Sequence, residues 1–180
     1  MYKMKITTID YAILGLLKTE SLSGYKIRKT FELTALGDFS SSPGTVYPAL
    51  KRLKRNLLIE ETILEGISKK LLSITQKGLE VLKEWLRQSI TITDIKKRDK
   101  ELLLRFAFME NLIPNDEVVT FLQSYQNFTR TYIKELEDYL EDEDSSISSF
   151  GKIAVKHGLI SFKANLKWSQ QAIKIIKSMN

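Results

Sequence analysis

Residues 40–53 read SSSPGTVYPALKRL, and this stretch decides the fold. Pro43-Gly44 predicts the start of a helix, because proline is tolerated in the first turn, where its missing N–H has no intrahelical partner. An apolar face then follows at helical spacing, formed by Val46, Leu50 and Leu53. The helix is expected to end near Asn56, since asparagine tolerates the left-handed conformation found at many helix C-termini.

Two helices precede this one, and a hairpin follows it. We expect a first helix from about Ile9 to Lys18, a second helix capped by Ser23, and strands at residues 58–64 and 70–75. Three helices followed by a two-stranded hairpin are the layout of a winged helix-turn-helix. In that fold the third helix lies in the major groove of DNA while the hairpin tip reaches the flanking backbone.

The third helix carries residues suited to binding phosphate. Hydroxyls gather at its amino end, where unpaired backbone N–H groups can also receive phosphate, namely Ser40, Ser41, Ser42 and Thr45. Four cations follow within five positions, namely Lys51, Arg52, Lys54 and Arg55. Further phosphate candidates are Lys26 in the second helix and Lys69 and Lys70 beside the hairpin tip. Tyr47 is open to two interpretations, a DNA contact or a packing residue.

The net charge of +6 lies entirely in the first half of the chain. Residues 1–90 carry 15 Lys and Arg against 9 Asp and Glu, whereas residues 91–180 carry 13 of each. Such asymmetry favours a domain that faces a polyanion, joined to a neutral one.

The composition argues against an enzyme or a membrane protein. The 180 residues contain no cysteine and a single histidine, and neither a nucleophile-elbow sequence nor a phosphate-binding glycine loop is present. We therefore expect no catalysis, no metal site and no cofactor. The apolar run Tyr11–Leu17 is too short for a membrane span, and no cleavage site follows it. We expect a cytoplasmic protein without membrane contact.

The second half predicts a set of helices. We expect a mainly α fold with a winged helix-turn-helix domain at residues 1–83 and a helical dimerisation region at residues 84–180. One amphipathic helix covers 98–110. An apolar seam then follows in steps of three and four, apart from one skipped turn, formed by Val118, Phe121, Tyr125, Phe128, Tyr132 and Tyr139. A last helix carries Ile153, Ile160, Ala164, Trp168, Ala172 and Ile175. An amphipathic helix must bury its apolar stripe, so we expect the aromatic seam to pair two copies of the chain.

Four segments resemble the PadR-like family of transcriptional regulators: YAILGLLKTESLSGYKI (11–27), SSSPGTVYPALKRL (40–53), LLIEE (57–61) and LSITQKGLEVL (72–82). The string PGTVYPAL is far more specific than a generic helix-turn-helix pattern. The resemblance implies a winged helix with C-terminal dimerising helices. It also implies a usual role in repression, relieved in many members by a small molecule or another signal. It marks as DNA contacts Tyr25, Ser42, Thr45, Tyr47 and Lys51, with Lys69 and Lys70 on the wing.

Two positions depart from the family pattern. Leu57 stands where the family commonly has glycine after the recognition helix, which predicts a helix end shifted by one residue. Leu72 occupies a strand position that is often tyrosine, which puts in doubt any role that the tyrosine has in relatives.

The sequence thus predicts a non-enzymatic PadR-like repressor that binds a pseudo-palindromic operator as a homodimer. Its two third helices are expected to lie one helical turn, about 34 Å, apart. Effector control through the C-terminal helices is expected, with Trp85 and Trp168 as candidate contacts, although packing is the plainer role for both. Two other classes stay open: a protein-interaction module, and a small-molecule-binding scaffold. In either, the winged helix does not serve mainly in DNA binding.

Overall fold

The structure is a computed structural model that describes residues 5–34, 42–63, 70–142 and 147–179. It divides into two compact units, Met1–Arg87 and Gln88–Asn180. The boundary expected after residue 83 falls inside a helix, Gln76–Leu86, whereas the units divide just beyond the end of that helix. The predicted hairpin tip at residues 65–69 lies outside the described residues.

The first unit has the element order of a winged helix. Its elements are α1 (Thr8–Thr19), α2 (Gly24–Leu33), α3 (Pro43–Arg55), β1 (Ile59–Ile63), β2 (Lys70–Ile74) and α4 (Gln76–Leu86). These bounds agree with the sequence expectation to within one or two residues. The mainly α fold class with an N-terminal winged helix is therefore confirmed.

Local side chains start the helices of this unit. Thr7 and Asp10 form a capping box at α1, in which each satisfies a backbone N–H of the other's residue. Ser23 accepts a hydrogen bond from the backbone N–H of Lys26 at 3.2 Å, so the predicted cap of α2 is confirmed. Thr75 caps α4 in the same way, accepting from the N–H of Gly78 at 3.0 Å.

α3 ends at Asn56 as predicted and without the one-residue shift that Leu57 suggested, but the residue in the left-handed conformation is not the one expected. Asn56 is the C-cap but has φ −87°, and the residue with positive φ is Leu57 at 60°. The N–H of Leu57 donates to the carbonyl of Lys54 at 2.9 Å, and the N–H of Leu58 donates to that of Leu53 at 3.0 Å. This is a Schellman motif with leucine at the position that usually holds glycine. Because its backbone turns left-handed, the Leu57 side chain points to solvent and is 68% exposed.

The sheet contains a pairing that the sequence did not indicate. β1 and β2 are antiparallel, with Ile59 opposite Ile74. Leu22, which lies between α1 and α2, forms an isolated bridge to Leu72, and the two residues exchange N–H···O bonds of 3.0 and 2.8 Å. Leu72 is buried. Leucine at this position therefore packs in the core, where it has no hydroxyl to satisfy.

The core of the first unit lies between its helices and the sheet. It contains apolar side chains from every helix, among them Leu14 of α1, Phe31 of α2, Leu53 of α3 and Leu82 of α4, all buried. Leu50 and Leu53 face this core as the helical spacing of α3 predicts. The opposite side of α3 is thereby left facing outward.

The second unit consists of three helices, α5 (Ile92–Phe108), α6 (Asn115–Glu141) and α7 (Ser149–Ser178). The helix expected to begin at residue 98 begins earlier, with a capping box between Thr91 and Asp94. Arg98 marks a kink instead, with φ −137° and ψ 26°. None of the helices in the described ranges is both long and apolar enough to span a membrane.

The aromatic seam of α6 packs inside the second unit. Tyr125 meets Trp168 of α7 edge-on at 6.1 Å between ring centroids, and Tyr132 meets Phe162 at 4.9 Å. Val118, Phe121 and Tyr125 are buried. α7 of the same chain thus covers much of the seam, although Tyr139 remains 47% exposed, and the pairing of two copies through it stays a prediction.

Candidate nucleic-acid interface

The outward side of α3 presents a stripe of three long side chains. Tyr47, Lys51 and Arg55 are spaced four residues apart, so they lie one above another on the helix. All three are exposed, Tyr47 by 47%. Neither Lys51 nor Arg55 forms an ion pair within the part of the chain that the structure describes. We call these three residues the α3 stripe.

The amino end of α3 lies beside the stripe. The hydroxyl of Ser42 accepts a hydrogen bond from the N–H of Gly44 at 3.2 Å and caps the helix. Thr45 is half-buried and lines an open cleft of about 600 Å³ together with Pro48 and Arg52. Ser40 and Ser41, expected at this end, lie outside the described residues.

Arg52 differs from the other cations of α3. Its Nε and Nη2 donate to the two carboxylate oxygens of Asp10 in α1 at 3.0 and 2.7 Å. Asp10 is 1% exposed. The guanidinium is therefore engaged by a buried carboxylate of its own domain, a paired contact that planar arginine forms well.

Lys54 and Lys70 share one acidic partner in the wing. Both ammonium groups bind the carboxylate of Glu61 on β1, Lys70 at 3.1 Å. The hydrogen bonds from Lys54 and then Lys70 lower the pKa of Glu61. All three residues lie at the surface, so these pairs are screened by water and salt. Lys69, the other wing candidate, lies outside the described residues.

The start of α2 supplies the remaining candidates. Tyr25 is exposed, and the guanidinium of Arg28 lies 5.6 Å from its ring centroid. Lys26 forms a surface ion pair with Glu20 at 3.3 Å. A Cβ added to Gly24 would lie 3.4 Å from Cε1 of Tyr47. The Tyr47 ring therefore rests partly on α2 while remaining open to solvent, and a DNA contact through it stays a prediction.

Both tryptophans pack within their own units. Trp85 is buried and stacks on Tyr11 at 4.4 Å with an interplanar angle of 3°. Trp168 is half-buried and meets Phe106 edge-on at 5.3 Å, besides its contact with Tyr125. These contacts account for the packing role of both rings, and an effector contact at either stays a prediction.

The sequence did not reveal the two carboxylates that bind cations of α3 within the domain. Asp10 could be recognised from the sequence only as part of a capping box, three residues after Thr7. No local signal linked it to Arg52, which is 42 residues away. Glu61 likewise lies in a strand, and only the folded hairpin brings it to Lys54 and Lys70.

The winged helix matches the model of a known protein family. The model of the transcriptional regulator PadR-like family matches residues 13–84, from within α1 to the end region of α4. The winged helix of this chain is therefore a PadR-like domain. Members of the family are transcriptional regulators and not enzymes, in agreement with the expectation from the sequence.

Known PadR-like proteins are similar to this chain over about half of its length. The "Negative transcriptional regulator PadR" of Bacillus subtilis is 34% identical over 108 residues, covering 58% of each chain. The "Transcriptional regulator YqjI" of Escherichia coli is 31% identical over 99 residues, covering 55% of this chain and 46% of the relative. The chain therefore matches about half the length of these curated relatives. Among solved structures, Bacillus subtilis PadR in complex with operator DNA is 26% identical, with a TM-score of 0.43, covering 94% of this chain and 99% of that one.

Proposed function

We propose that this PadR-like regulator is a repressor that binds a pseudo-palindromic operator as a homodimer. The observation that carries the proposal is the α3 stripe: Tyr47, Lys51 and Arg55 project from the third helix of a winged helix, and the described residues offer the two cations no acidic partner. The third helix of this fold enters the major groove. There the cations would meet phosphates and base edges, and Tyr47 a sugar or phosphate oxygen.

Repression is supported by the relatives. The Bacillus subtilis PadR with which the chain shares 34% identity is named a negative transcriptional regulator. The test is the transcript level of the gene downstream of a bound operator in cells that lack this protein. We expect the transcript to rise, and a fall would identify an activator.

A second stripe supports the homodimer. α7 packs against α6 with one side, and it also exposes large apolar residues near each of its two ends, namely Phe150, Ile153 and Ile160 in the first half and Ile175 and Met179 at the end. An apolar face of this length is costly in water, and a self-complementary surface on a second copy is the common way to cover it. We call these residues the α7 stripe and propose that it pairs two protomers.

The DNA-binding proposal is tested by fluorescence anisotropy over a salt series. The probe is a duplex enriched by the wild-type protein from a random pool, measured from about 50 to 200 mM salt. Lys51→Ala and Arg55→Ala should each weaken binding and reduce the slope of log K against log salt by about 1, because each removes one phosphate contact.

Lys54→Ala is the matched control for these variants. It removes the same charge from the same helix, but Lys54 is already bound to Glu61, so the slope should change less. The absence of duplex binding, or an unchanged slope in Lys51→Ala and Arg55→Ala, contradicts the proposal. Either result favours a protein-interaction module or a small-molecule-binding scaffold.

The dimer is tested by sedimentation equilibrium. Ile153→Glu and Ile160→Glu put charges on the α7 stripe and should shift the protein to monomers, with loss of operator binding. Gln170→Glu adds the same charge at an exposed position off the stripe and should leave the dimer intact. Tight binding of a monomer to a single half-site contradicts the dimeric proposal.

Effector control is the remaining part of the proposal. The second unit contains a cavity of about 460 Å³, lined mainly by apolar groups that include Phe106, Ile113 and Ile176. A small apolar molecule fits such a lining. Because Phe106 also contacts Trp168, binding there should change Trp168 emission in a Trp85→Phe variant. A compound that changes this emission without changing operator affinity contradicts its role as an effector.

A further inference from the structure

The ion pair between Asp10 and Arg52 joins α1 to the proposed recognition helix. We propose that Arg52 is a positioning residue, which holds α3 at a fixed orientation on α1 and does not itself bind DNA phosphate. This inference rests on the proposed DNA-binding function. It divides the four cations of α3 into two that meet DNA, Lys51 and Arg55, one that is exchangeable, Lys54, and one that is part of the domain's framework.

The geometry around Asp10 leaves no room for an alternative partner. Oδ2 of Asp10 accepts from Nε of Arg52 at 3.0 Å and from both the backbone N–H and the hydroxyl of Thr7 at 2.8 Å. Oδ1 accepts from Nη2 of Arg52 at 2.7 Å. The same Nη2 donates to the hydroxyl of Thr7 at 3.3 Å. The amino end of α1 and the middle of α3 therefore share one hydrogen-bond network.

Burial of the Asp10 carboxylate makes the release of Arg52 unfavourable. If Arg52 turned to a phosphate, the carboxylate of Asp10 would stay behind, shielded from water, without a cation. An uncompensated buried charge is strongly unfavourable, so the released arginine would have to gain more from DNA than the domain loses. We infer that the pair persists when DNA binds.

Glu61 provides the contrast. It binds Lys54 and Lys70 at the surface, where water can solvate whichever group is released. Releasing either lysine from this carboxylate to a phosphate therefore costs less than releasing Arg52 from Asp10. Two acidic residues beside the same helix should for this reason have opposite effects on DNA binding.

A positioning role has its own signature. Contacts to base edges require α3 to keep its tilt and depth in the groove, whereas non-specific binding depends on the number of neutralised phosphates. Loss of the pair should therefore weaken operator binding and leave non-specific binding and its salt slope unchanged. Loss of a phosphate contact would instead weaken both and reduce the slope.

The experiment compares Asp10→Asn and Arg52→Lys with Glu61→Gln. Asp10→Asn and Glu61→Gln each add one unit of positive charge to the domain, so Glu61→Gln controls for charge, while Arg52→Lys keeps the charge and loses the two-pronged contact. The probes are the enriched duplex and a scrambled duplex of the same length. Asp10→Asn and Arg52→Lys should weaken operator binding about tenfold, the equivalent of one good base contact. Glu61→Gln should bind both duplexes at least as tightly as the wild type.

Three results decide the matter. Tighter binding of both duplexes by Asp10→Asn, with a steeper salt slope, would mean that the freed arginine binds phosphate and would overturn the inference. Wild-type operator affinity in Arg52→Lys overturns the inference as well. If Trp85 emission shows that Asp10→Asn is unfolded, the inference is tested with Arg52→Lys alone. Failure of the proposed function is distinguishable, because it would appear as an unchanged duplex affinity in Lys51→Ala.

Discussion

Gly78 is the position where the fold tolerates a side chain least. It lies in the first turn of α4, and a Cβ built there would lie 2.1 Å from the carbonyl oxygen of Leu58 and 3.0 Å from Cγ1 of Ile74. The obstacle is backbone, so no rotamer change relieves it. Gly78→Ala would therefore force α4 away from the segment that joins α3 to β1.

The loss of stability in Gly78→Ala can be estimated from the shift that α4 must make. Separating Cβ and oxygen to a normal contact requires a shift of about 1 Å, and overpacking of this kind costs about 1–3 kcal/mol. The same carbonyl accepts the N–H of Thr75 at 3.1 Å, and straining that bond adds about 1 kcal/mol. Alanine has less conformational freedom than glycine in the unfolded chain, and this difference stabilises the folded protein by about 0.5–1 kcal/mol. The net loss should be about 1–3.5 kcal/mol, which for a domain of this size lowers Tm by roughly 5–25 °C.

The assay is urea and thermal unfolding followed by Trp85 emission in a Trp168→Phe background, so that the signal comes from the first unit alone. Gly158→Ala is the control, because a Cβ at Gly158 in α7 meets no atom within 4 Å. That substitution should raise the stability of the second unit, followed by Trp168 emission in a Trp85→Phe background, by up to about 1 kcal/mol, as a helix-interior glycine does when replaced by alanine. A loss smaller than about 1 kcal/mol in Gly78→Ala would refute the reasoning, since it would mean that α4 is not held against Leu58.

Two further predictions concern backbone strain and a buried acid. At Leu57, whose φ is 60°, Leu57→Gly should be more stable than Leu57→Ala by about 0.5–1 kcal/mol in the same unfolding assay, because only glycine adopts this φ without strain, and equal stability would contradict the Schellman assignment. At Asp99, burial raises the pKa above its ordinary 3.8, against the opposing hydrogen bonds from the Tyr125 hydroxyl at 2.6 Å and the Asn165 amide at 3.1 Å. The folded state therefore binds this proton more tightly than the unfolded state, so the stability of the wild type relative to Asp99→Asn should fall as pH rises from about 3.8 to the raised value and then level off. Urea midpoints of both proteins across that range measure it, and a stability difference that grows with pH would be the wrong sign.

Short-range features of the sequence were sufficient for the elements of the winged helix. The string PGTVYPAL predicts α3, and Ser23 predicts the start of α2, because a cap or a helix-opening proline acts on backbone groups within a few residues of itself. The heptad-like spacing in the second half predicts α6 and α7 for the same reason. It did not reveal which surface each stripe meets, and the packing of α7 of the same chain against much of the α6 seam became visible only in the folded structure.

Pairings across long stretches of chain were not predictable in this way. The bridge between Leu22 and Leu72 joins residues 50 positions apart, and nothing near Leu22 marks it as a strand. At Leu57 the family pattern drew attention to the position, but only the backbone shows that leucine adopts the left-handed conformation there. Both features depend on where other segments lie after folding.

The sequence alone determined the family, the order of the elements and the concentration of positive charge in the first domain, because these depend on residue types and short spacings. Only the tertiary structure decided which cations are available on α3. Lys51 and Arg55 are open to solvent, Lys54 shares Glu61 with Lys70, and Arg52 is held by Asp10. The physical reason is that an ion pair depends on three-dimensional distance and burial, which four neighbouring cations in a sequence do not reveal.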